Sequence, residues 1–139
     1  LVELDIPYVD LGPTSNESVD YPDYAAKVAY AVSSGEYGHG VLVCGSGIGM
    51  SIAANKISGI RAALCSDTFS AHRAKEHNDA NILCIGSQST TQTTALEIAN
   101  AYLEAKFEGG RHQRRVLKIG MLDSPKNVEG KSHQHGAGN

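Results

Sequence analysis

The sequence predicts an α/β fold with a mostly parallel sheet. Short apolar runs alternate with longer segments whose apolar residues recur at helical spacing, which is the pattern of consecutive strand and helix units. The clearest strand is the unbroken apolar run at 40–44, and a glycine-rich stretch and a helix-favouring segment follow it directly. Strands that are covered on both faces of a parallel sheet have such continuous apolar runs.

Length and composition indicate one domain. The chain has 139 residues, 41% hydrophobic and 19% charged, and a domain of this size buries about two thirds of its unfolded surface without a metal or disulfide staple. We expect the domain to span 1–122 and the tail at 123–139, which has no periodic pattern, to be disordered. The net charge of −3 argues against nucleic acid or an anionic membrane as a partner, and no apolar stretch is long enough for a membrane helix.

The first half of the chain is marked by turn residues and by helical spacing. A short strand is predicted at 8–11, ahead of a Gly-Pro turn. A helix then begins at Tyr21-Pro22-Asp23, because proline suits the first helical turn. This helix ends near residue 34. The apolar residues of this helix share one face: Ala25, Val28, Ala29 and Val32. After the strand at 40–44, a helix is predicted at 50–56.

Two more strands and three more helices complete the prediction. The strands lie at 61–65 and 82–85, and the helices at 68–76, 91–105 and 111–122. The opening Leu-Val-Glu-Leu run resembles the end of an amphipathic helix, and the chain begins without Met. We therefore expect a preceding segment to be missing. In the tail, His133 and His135 form an H-x-H pair that can bind metal, but a mobile chain end is the favoured interpretation.

The glycines at positions 45, 47 and 49 predict an anion-binding loop. They lie where the carboxyl end of a strand meets a helix, which is where open α/β sheets bind ligands. Glycine lets backbone N–H groups approach an oxyanion closely, and the start of a helix adds partial positive charge. A tight turn without a ligand is the alternative. A dinucleotide site is disfavoured because Met50 stands where the G-x-G-x-x-G pattern needs its third glycine.

The three cysteines are widely spaced and form no C-x-x-C pair, which indicates reduced thiols and a cytoplasmic protein. Cys44 ends a strand directly before a helix, whose dipole lowers a thiol pKa, so its thiolate can act as a base. A buried apolar cysteine is the alternative for Cys44, and it is the favoured interpretation for Cys65 and Cys84. We predict no metal site, because the paired spacing of zinc ligands is absent.

Two further groups of residues can carry chemistry. His77-Asn78-Asp79 closes a predicted helix just before a strand, on the edge where carboxyl-end loops or their partners gather, and histidine can pass protons to and from sugar oxygens. Helix capping, with Asn78 in a left-handed turn, is the alternative. Arg111 and Arg115 lie four apart, so they share a helix face and can clamp a phosphate. A solvated basic patch is the alternative there.

Together, these segments resemble the type B ribose-5-phosphate isomerase family from about Leu1 to Leu122. The Cys-Gly-Ser-Gly-Ile-Gly block with Ser-Ile-Ala-Ala-Asn-Lys after it is highly specific to that family and its hexose-phosphate relatives. The resemblance rests on Asp20-Tyr21-Pro22-Asp23-Tyr24, the block from Cys44 to Lys56, Gly59-Ile60-Arg61-Ala62, His77-Asn78-Asp79-Ala80-Asn81 and Gly110-Arg111-His112.

This resemblance implies a Rossmann-like three-layer domain that interconverts ribose 5-phosphate and ribulose 5-phosphate without a metal or cofactor. It also implies a homodimer, or a tetramer, whose active sites draw on both subunits. The alternatives are an isomerase of allose or galactose 6-phosphate and a non-catalytic module that binds a phosphate ligand. The family begins with a further strand, an Asp-His pair and a helix, so we expect the first strand-helix unit to be missing here. The family also usually has an arginine at the position of Gln88.

The resemblance also implies a role for each site residue. Cys44 would be the base that moves a proton between C1 and C2, Ser46 would handle the hydroxyl proton, and His77 would assist ring opening. The amides of Gly45, Gly47 and Gly49 would hold the enediolate. The other implied substrate-binding residues are Tyr21, Asn78, Arg111 and Arg115.

Overall fold

The computed structural model describes residues 1–123, and the predicted tail beyond them lies outside the described residues. After a single 3₁₀ turn at Val2–Leu4, where the end of a longer helix was expected, helices and strands alternate. The elements are α1 (Tyr21–Ser33), β1 (Gly40–Cys44), α2 (Ile48–Ala54), β2 (Ala62–Leu64), α3 (Thr68–Glu76), β3 (Ile82–Gly86), α4 (Gln92–Glu104) and α5 (Arg111–Met121).

The strands form a parallel sheet in the order β1-β3-β2. All five residues of β3 are buried, and their side chains alternate between two cores as the pleat requires. Leu83 and Ile85 pack into the core shared with α3 and α4, whereas Ile82 and Cys84 pack into the core shared with α1 and α2. The predicted three-layer α/β architecture is therefore confirmed.

Local sequence explains where the helices begin. The carboxylate of Asp67 accepts a hydrogen bond from the Ser70 N–H at 2.7 Å, which caps α3. That hydrogen bond also lowers the pKa of Asp67. At the start of α4, the Thr91 hydroxyl accepts from the Thr94 N–H at 3.2 Å.

The helices of residues 1–123 include none with the length and apolar character that a membrane-spanning helix needs.

The strand predicted at 8–11 is wrong. Residues 6–20 form no helix or strand, and within the described chain β1 pairs only with β3. A cleft of about 680 Å³ is lined on one side by the segment from Ile6 to Pro13 and on the other by β1. A strand requires a backbone ladder with a neighbour, and a short apolar run does not supply that neighbour.

The other predicted elements are present, with ends that shift by a few residues. The largest change is at α2, which begins at Ile48 rather than at residue 50. Gly49 therefore lies in the first turn of a helix rather than in a loop.

Tyr102 of α4 anchors the core on the side of α3 and α4. Its side chain is fully buried, and its hydroxyl donates to the Ala80 carbonyl at 2.8 Å. Since that hydroxyl has only one proton, His39 Nδ1, 3.1 Å from the same oxygen, is the donor of the second hydrogen bond. Burial raises the pKa of Tyr102 well above its usual range. The hydroxyl therefore stays protonated and ties the segment before β3 to α4.

We expect Tyr102→Phe to lower the free energy of unfolding by about 1–3 kcal/mol, because the buried Ala80 carbonyl loses its partner. Urea denaturation measures the change. The matched control is Tyr30→Phe, whose side chain is 60% exposed, and it should leave the midpoint unchanged. Equal midpoints for the two variants would contradict this assignment.

Candidate active site

Cys44 lies at the carboxyl end of β1 with its sulfur against the glycine loop. The Gly47 N–H donates to Sγ at 3.2 Å, and the residue is half-buried rather than enclosed in the core. A thiolate is stabilised by such an N–H donor and by the start of the helix that follows. The sulfur is therefore held against the glycine loop, and the side chain also packs against the core shared with α1 and α2.

Each glycine of the loop is in close contact with another element. Gly47 has φ +76°, and a Cβ there would lie 2.5 Å from Leu64 Cδ1 and 2.9 Å from the Ile85 carbonyl carbon. A Cβ on Gly49 would overlap the ring of Tyr21, and one on Gly45 would lie 3.1 Å from Gln88 Nε2. The glycines thus allow α1, β2 and the end of β3 to close around the loop.

Ser46 is exposed at the tip of this loop. Its hydroxyl accepts from the Ile48 N–H at 3.2 Å, so the hydroxyl proton remains available to a ligand. The amides in the first turn of α2 have no partner within the helix. Sulfur, hydroxyl and backbone donors are therefore grouped at the carboxyl edge of the sheet.

Gln88, which the sequence analysis noted as standing where the family usually has an arginine, belongs to the same edge. Its N–H donates to the Gly45 carbonyl at 2.9 Å, and the Ser87 N–H donates to the Cys44 carbonyl at the same distance. These bonds fasten the segment after β3 to the glycine loop. The available signal was the position of Gln88 directly after the carboxyl end of a parallel strand.

His77 lies at the opposite edge of the sheet from Cys44 within one chain. It follows α3, which runs back across the sheet to the point where β3 begins, whereas Cys44 is in register with Gly86 at the other end of β3. The five residues of β3 separate the edges by about 13 Å. His77 thus does not join Cys44 in a single chain.

His77 instead meets Glu108, which precedes α5, and His112 in the first turn of α5. Its ring stacks on that of His112, with centroids 4.0 Å apart and planes at 12°. Glu108 Oε2 lies 3.7 Å from His77 Nε2 and 3.6 Å from His112 Nε2. Burial, followed by the charges of His77 and Arg111, lowers the pKa of His112. The sequence analysis assigned no role to Glu108 or His112. Their spacing of four was no signal, because Glu108 lies before α5 in a segment that is not helical.

The remaining predicted residues also lie at this edge of the sheet, the amino edge, at which the strands begin. Asn78 is exposed after α3, and the left-handed residue of this turn is Asp79, with φ 47°. The interpretation of Asn78 as the left-handed residue is therefore wrong. Arg111 and Arg115 are exposed on α5 as predicted, and neither forms an ion pair with any residue of 1–123. Their guanidinium groups can therefore bind an external anion.

The other cysteines and Met50 are parts of the core. Cys65 and Cys84 are buried as expected, and burial raises the pKa of Cys84 to about 12, so neither thiol is a base near neutral pH. Met50 lies on the buried face of α2, with its side chain 7% exposed and packed into the core shared with α1, in the place where a dinucleotide loop would have glycine. The structure thus gives no dinucleotide loop at this edge.

We expect Gly47→Ala to destabilise the protein more than Gly35→Ala, with urea midpoints as the measurement. Both glycines have positive φ, +76° and +82°, so each alanine has a backbone strain of about 1–2 kcal/mol. Only at position 47 does the new Cβ also meet backbone, since no atom of residues 1–123 lies within 4 Å of a Cβ at Gly35. Equal losses would show that the loop is not closely covered.

Comparison with known proteins places this geometry among sugar-phosphate isomerases. The family model described as Ribose/Galactose Isomerase matches residues 1–119. Ribose-5-phosphate isomerase B of Escherichia coli (strain K12) is 47% identical over 127 residues, or 91% of this chain and 85% of that protein. A putative sugar phosphate isomerase of Bacillus subtilis (strain 168) is 55% identical over 118 residues, or 84% of this chain and 79% of that protein.

Solved structures agree with the fold. Ribose-5-phosphate isomerase B of Clostridium thermocellum matches with a TM-score of 0.86 and 48% identity, covering 91% of this chain and 84% of that one. Ribose-5-phosphate isomerase B of Mycoplasma genitalium, solved with bound ribulose-5-phosphate, matches with a TM-score of 0.84 and 40% identity over 88% of this chain and 82% of that one. The Rossmann-like architecture is shared with both.

Proposed function

The chain belongs to the Ribose/Galactose Isomerase family, and we propose from this premise that it interconverts ribose 5-phosphate and ribulose 5-phosphate. The observation that carries the proposal is the position of Cys44, whose sulfur lies 3.2 Å from the Gly47 amide at the mouth of the glycine loop. The three cysteines are free thiols, which suits a reducing compartment. We place the reaction in the cytoplasm.

Cys44 acts as the base in this reaction. Its thiolate removes the proton from C2 of the open aldose, which leaves an enediolate, and the resulting thiol returns that proton to C1. Ser46 carries the hydroxyl proton between O2 and O1. Because hydrogen moves only as a proton, no redox cofactor takes part.

The glycine loop stabilises the charge that develops on the sugar oxygens. In this proposal the amides of Gly45 and Gly49 donate to the enediolate, whereas the Gly47 amide, expected to do the same, donates to Cys44 Sγ. A fixed donor of this kind is worth about 3 kcal/mol of transition-state stabilisation. These donors cost little reorganisation because Tyr21 and Gln88 hold the loop from either side. The loop therefore favours the intermediate over the neutral sugar.

The amino edge supplies the other half of the site. Arg111 and Arg115 bind the phosphate, His77 exchanges the proton that opens the furanose ring, and Asn78 binds beside the intermediate. The sugar carbons C1 and C2 lie within roughly 7 Å of the phosphorus, at about 3.5 Å per three bonds. The roughly 13 Å between the two edges of one chain is about twice that length.

We therefore propose a homodimer in which the carboxyl edge of one copy faces the amino edge of its partner. A two-fold axis generates two such composite sites, since each copy presents both edges. A tetramer built from two of these dimers has the same sites. The proposal is supported by the separation of Cys44 from the arginines within the chain.

An isomerase of a hexose 6-phosphate is the second candidate. It is favoured by the family description, which includes galactose isomerases, and by Gln88 beside the loop where the sequence resemblance leads one to expect arginine. Turnover of allose or galactose 6-phosphate with a kcat/KM above that for ribose 5-phosphate would select this candidate. Calorimetric binding of these sugar phosphates without turnover would instead support a binding module.

We expect Cys44→Ala to lower kcat for ribose 5-phosphate by about 10²–10⁴-fold, the usual contribution of a general base, while the protein stays folded. Turnover and circular dichroism are measured together. The matched control is Cys84→Ala on the adjacent strand, where the thiol is fully buried. This control should lower stability and keep the turnover of the folded fraction. Full activity of Cys44→Ala would refute the assigned base.

Composite sites predict complementation between two inactive variants. Cys44→Ala and the double variant Arg111→Ala/Arg115→Ala should each be inactive as homodimers. When they are co-expressed, half of the random dimers are mixed and have one intact site, so activity should return to roughly a quarter of the parent value. Arg114→Ala is the control for the removal of an exposed arginine and should remain active alone. No recovery on co-expression would overturn the shared site.

A further inference from the structure

We propose that His77, Glu108 and His112 form a binding site for a divalent transition-metal ion of the zinc class. Among residues 1–123 this is the one group of three or more His, Cys, Asp or Glu side chains whose ligand atoms all lie within 4.8 Å of one another. The site lies at the amino edge, where the residue that follows α3 meets the start of α5. The proposed isomerase reaction does not require a metal there.

The donor set matches zinc chemistry. Two imidazole nitrogens and one carboxylate oxygen are the protein ligands of many zinc sites that keep an open fourth position. Imidazole also suits copper and nickel, whereas calcium and magnesium prefer oxygen ligands. An ion of the zinc class is therefore selected over the hard divalent cations.

The distances are close to those that coordination requires. Metal–ligand bonds of about 2.1 Å at tetrahedral angles place neighbouring donor atoms about 3.4 Å apart. Glu108 Oε2 lies 3.7 Å from His77 Nε2 and 3.6 Å from His112 Nε2. The rings are now stacked nearly parallel at 12°, so binding requires them to tilt until both nitrogens point at the ion.

The backbone holds the three ligands together before any ion arrives. The Glu108 N–H donates to the Glu76 carbonyl at 3.0 Å, which fixes Glu108 beside the residue that follows α3. His112 is buried at the start of α5, so its ring cannot swing into solvent. The backbone therefore keeps the three ligands close together, and the tilt of the two rings is the rearrangement that binding requires.

Arg73 competes with a metal for one of these ligands. Its Nη1 lies 3.3 Å from His77 Nε2 and 3.0 Å from Glu76 Oε2. The guanidinium group can only donate, so it occupies the lone pair of His77 that an ion needs. Removing Arg73 should therefore tighten metal binding, which a nonspecific surface site does not predict.

A bound ion has a consequence that rests on the proposed function. Coordination takes the Nε2 lone pair of His77, which is then unable to exchange a proton with the furanose ring oxygen. Zinc should therefore inhibit turnover of ribose 5-phosphate, with a midpoint equal to that of binding.

The test is a calorimetric titration of the full chain with ZnCl₂, with the visible spectrum of added Co²⁺ as a second readout of the ligand set. Every variant is made on a His133→Ala/His135→Ala background, which removes the H-x-H pair of the tail. We expect one ion per chain and a tetrahedral cobalt spectrum. Glu108→Gln and His112→Gln should each weaken zinc binding by at least about 10-fold.

Two controls and one gain-of-affinity variant make the result specific. His72→Gln on α3 and Glu104→Gln, an exposed acid at the end of α4, should leave zinc binding unchanged, whereas Arg73→Gln should strengthen it. Absence of binding at one ion per chain, or equal affinity in Glu108→Gln and the parent, would overturn the site. Absence of ribose 5-phosphate turnover before zinc is added would count against the proposed function and leave the calorimetric result standing.

Discussion

The polarity of the parallel sheet is the constraint on which the rest of this molecule depends. Every strand ends at one edge, and every connecting helix returns to the other. Side chains that follow strands, such as Cys44 and Gln88, therefore collect at the carboxyl edge, and side chains that follow α3, such as His77, collect at the amino edge. The separation of the thiol from the basic residues is a direct result of this topology.

β3 transmits this constraint to the site. Its side chains alternate between the two cores. A shift of the strand by one residue would therefore move each side chain from one core to the opposite face of the sheet. The residues after it then hold the loop through the hydrogen bonds from Ser87 to Cys44 and from Gln88 to Gly45. The buried centre of the sheet thus fixes the position of the sulfur and of the amides around it.

The amino edge is held together by charged and aromatic side chains, whereas the carboxyl edge is built around the glycine loop. His77 stands between the guanidinium of Arg73 and the carboxylate of Glu108, and its ring rests on that of His112. Donor and acceptor thus compete for the same nitrogen, and the ring can serve either in proton exchange or as a metal ligand. Arg111 and Arg115 lie on the same helix as His112, and their guanidinium groups form no ion pair within residues 1–123.

The sequence by itself determined the elements and the loop, because these depend on local periodicity and on residues that are adjacent in the chain. The apolar run at 40–44, the helix at 68–76 and the spacing of Arg111 and Arg115 could all be recognised from neighbouring residues in this way. Only the tertiary structure decided that residues 8–11 lack a pairing strand, that Tyr21 covers Gly49, and that His77 meets Glu108 and His112 rather than Cys44. These contacts join residues far apart in the chain, and their distances depend on how each helix crosses the sheet.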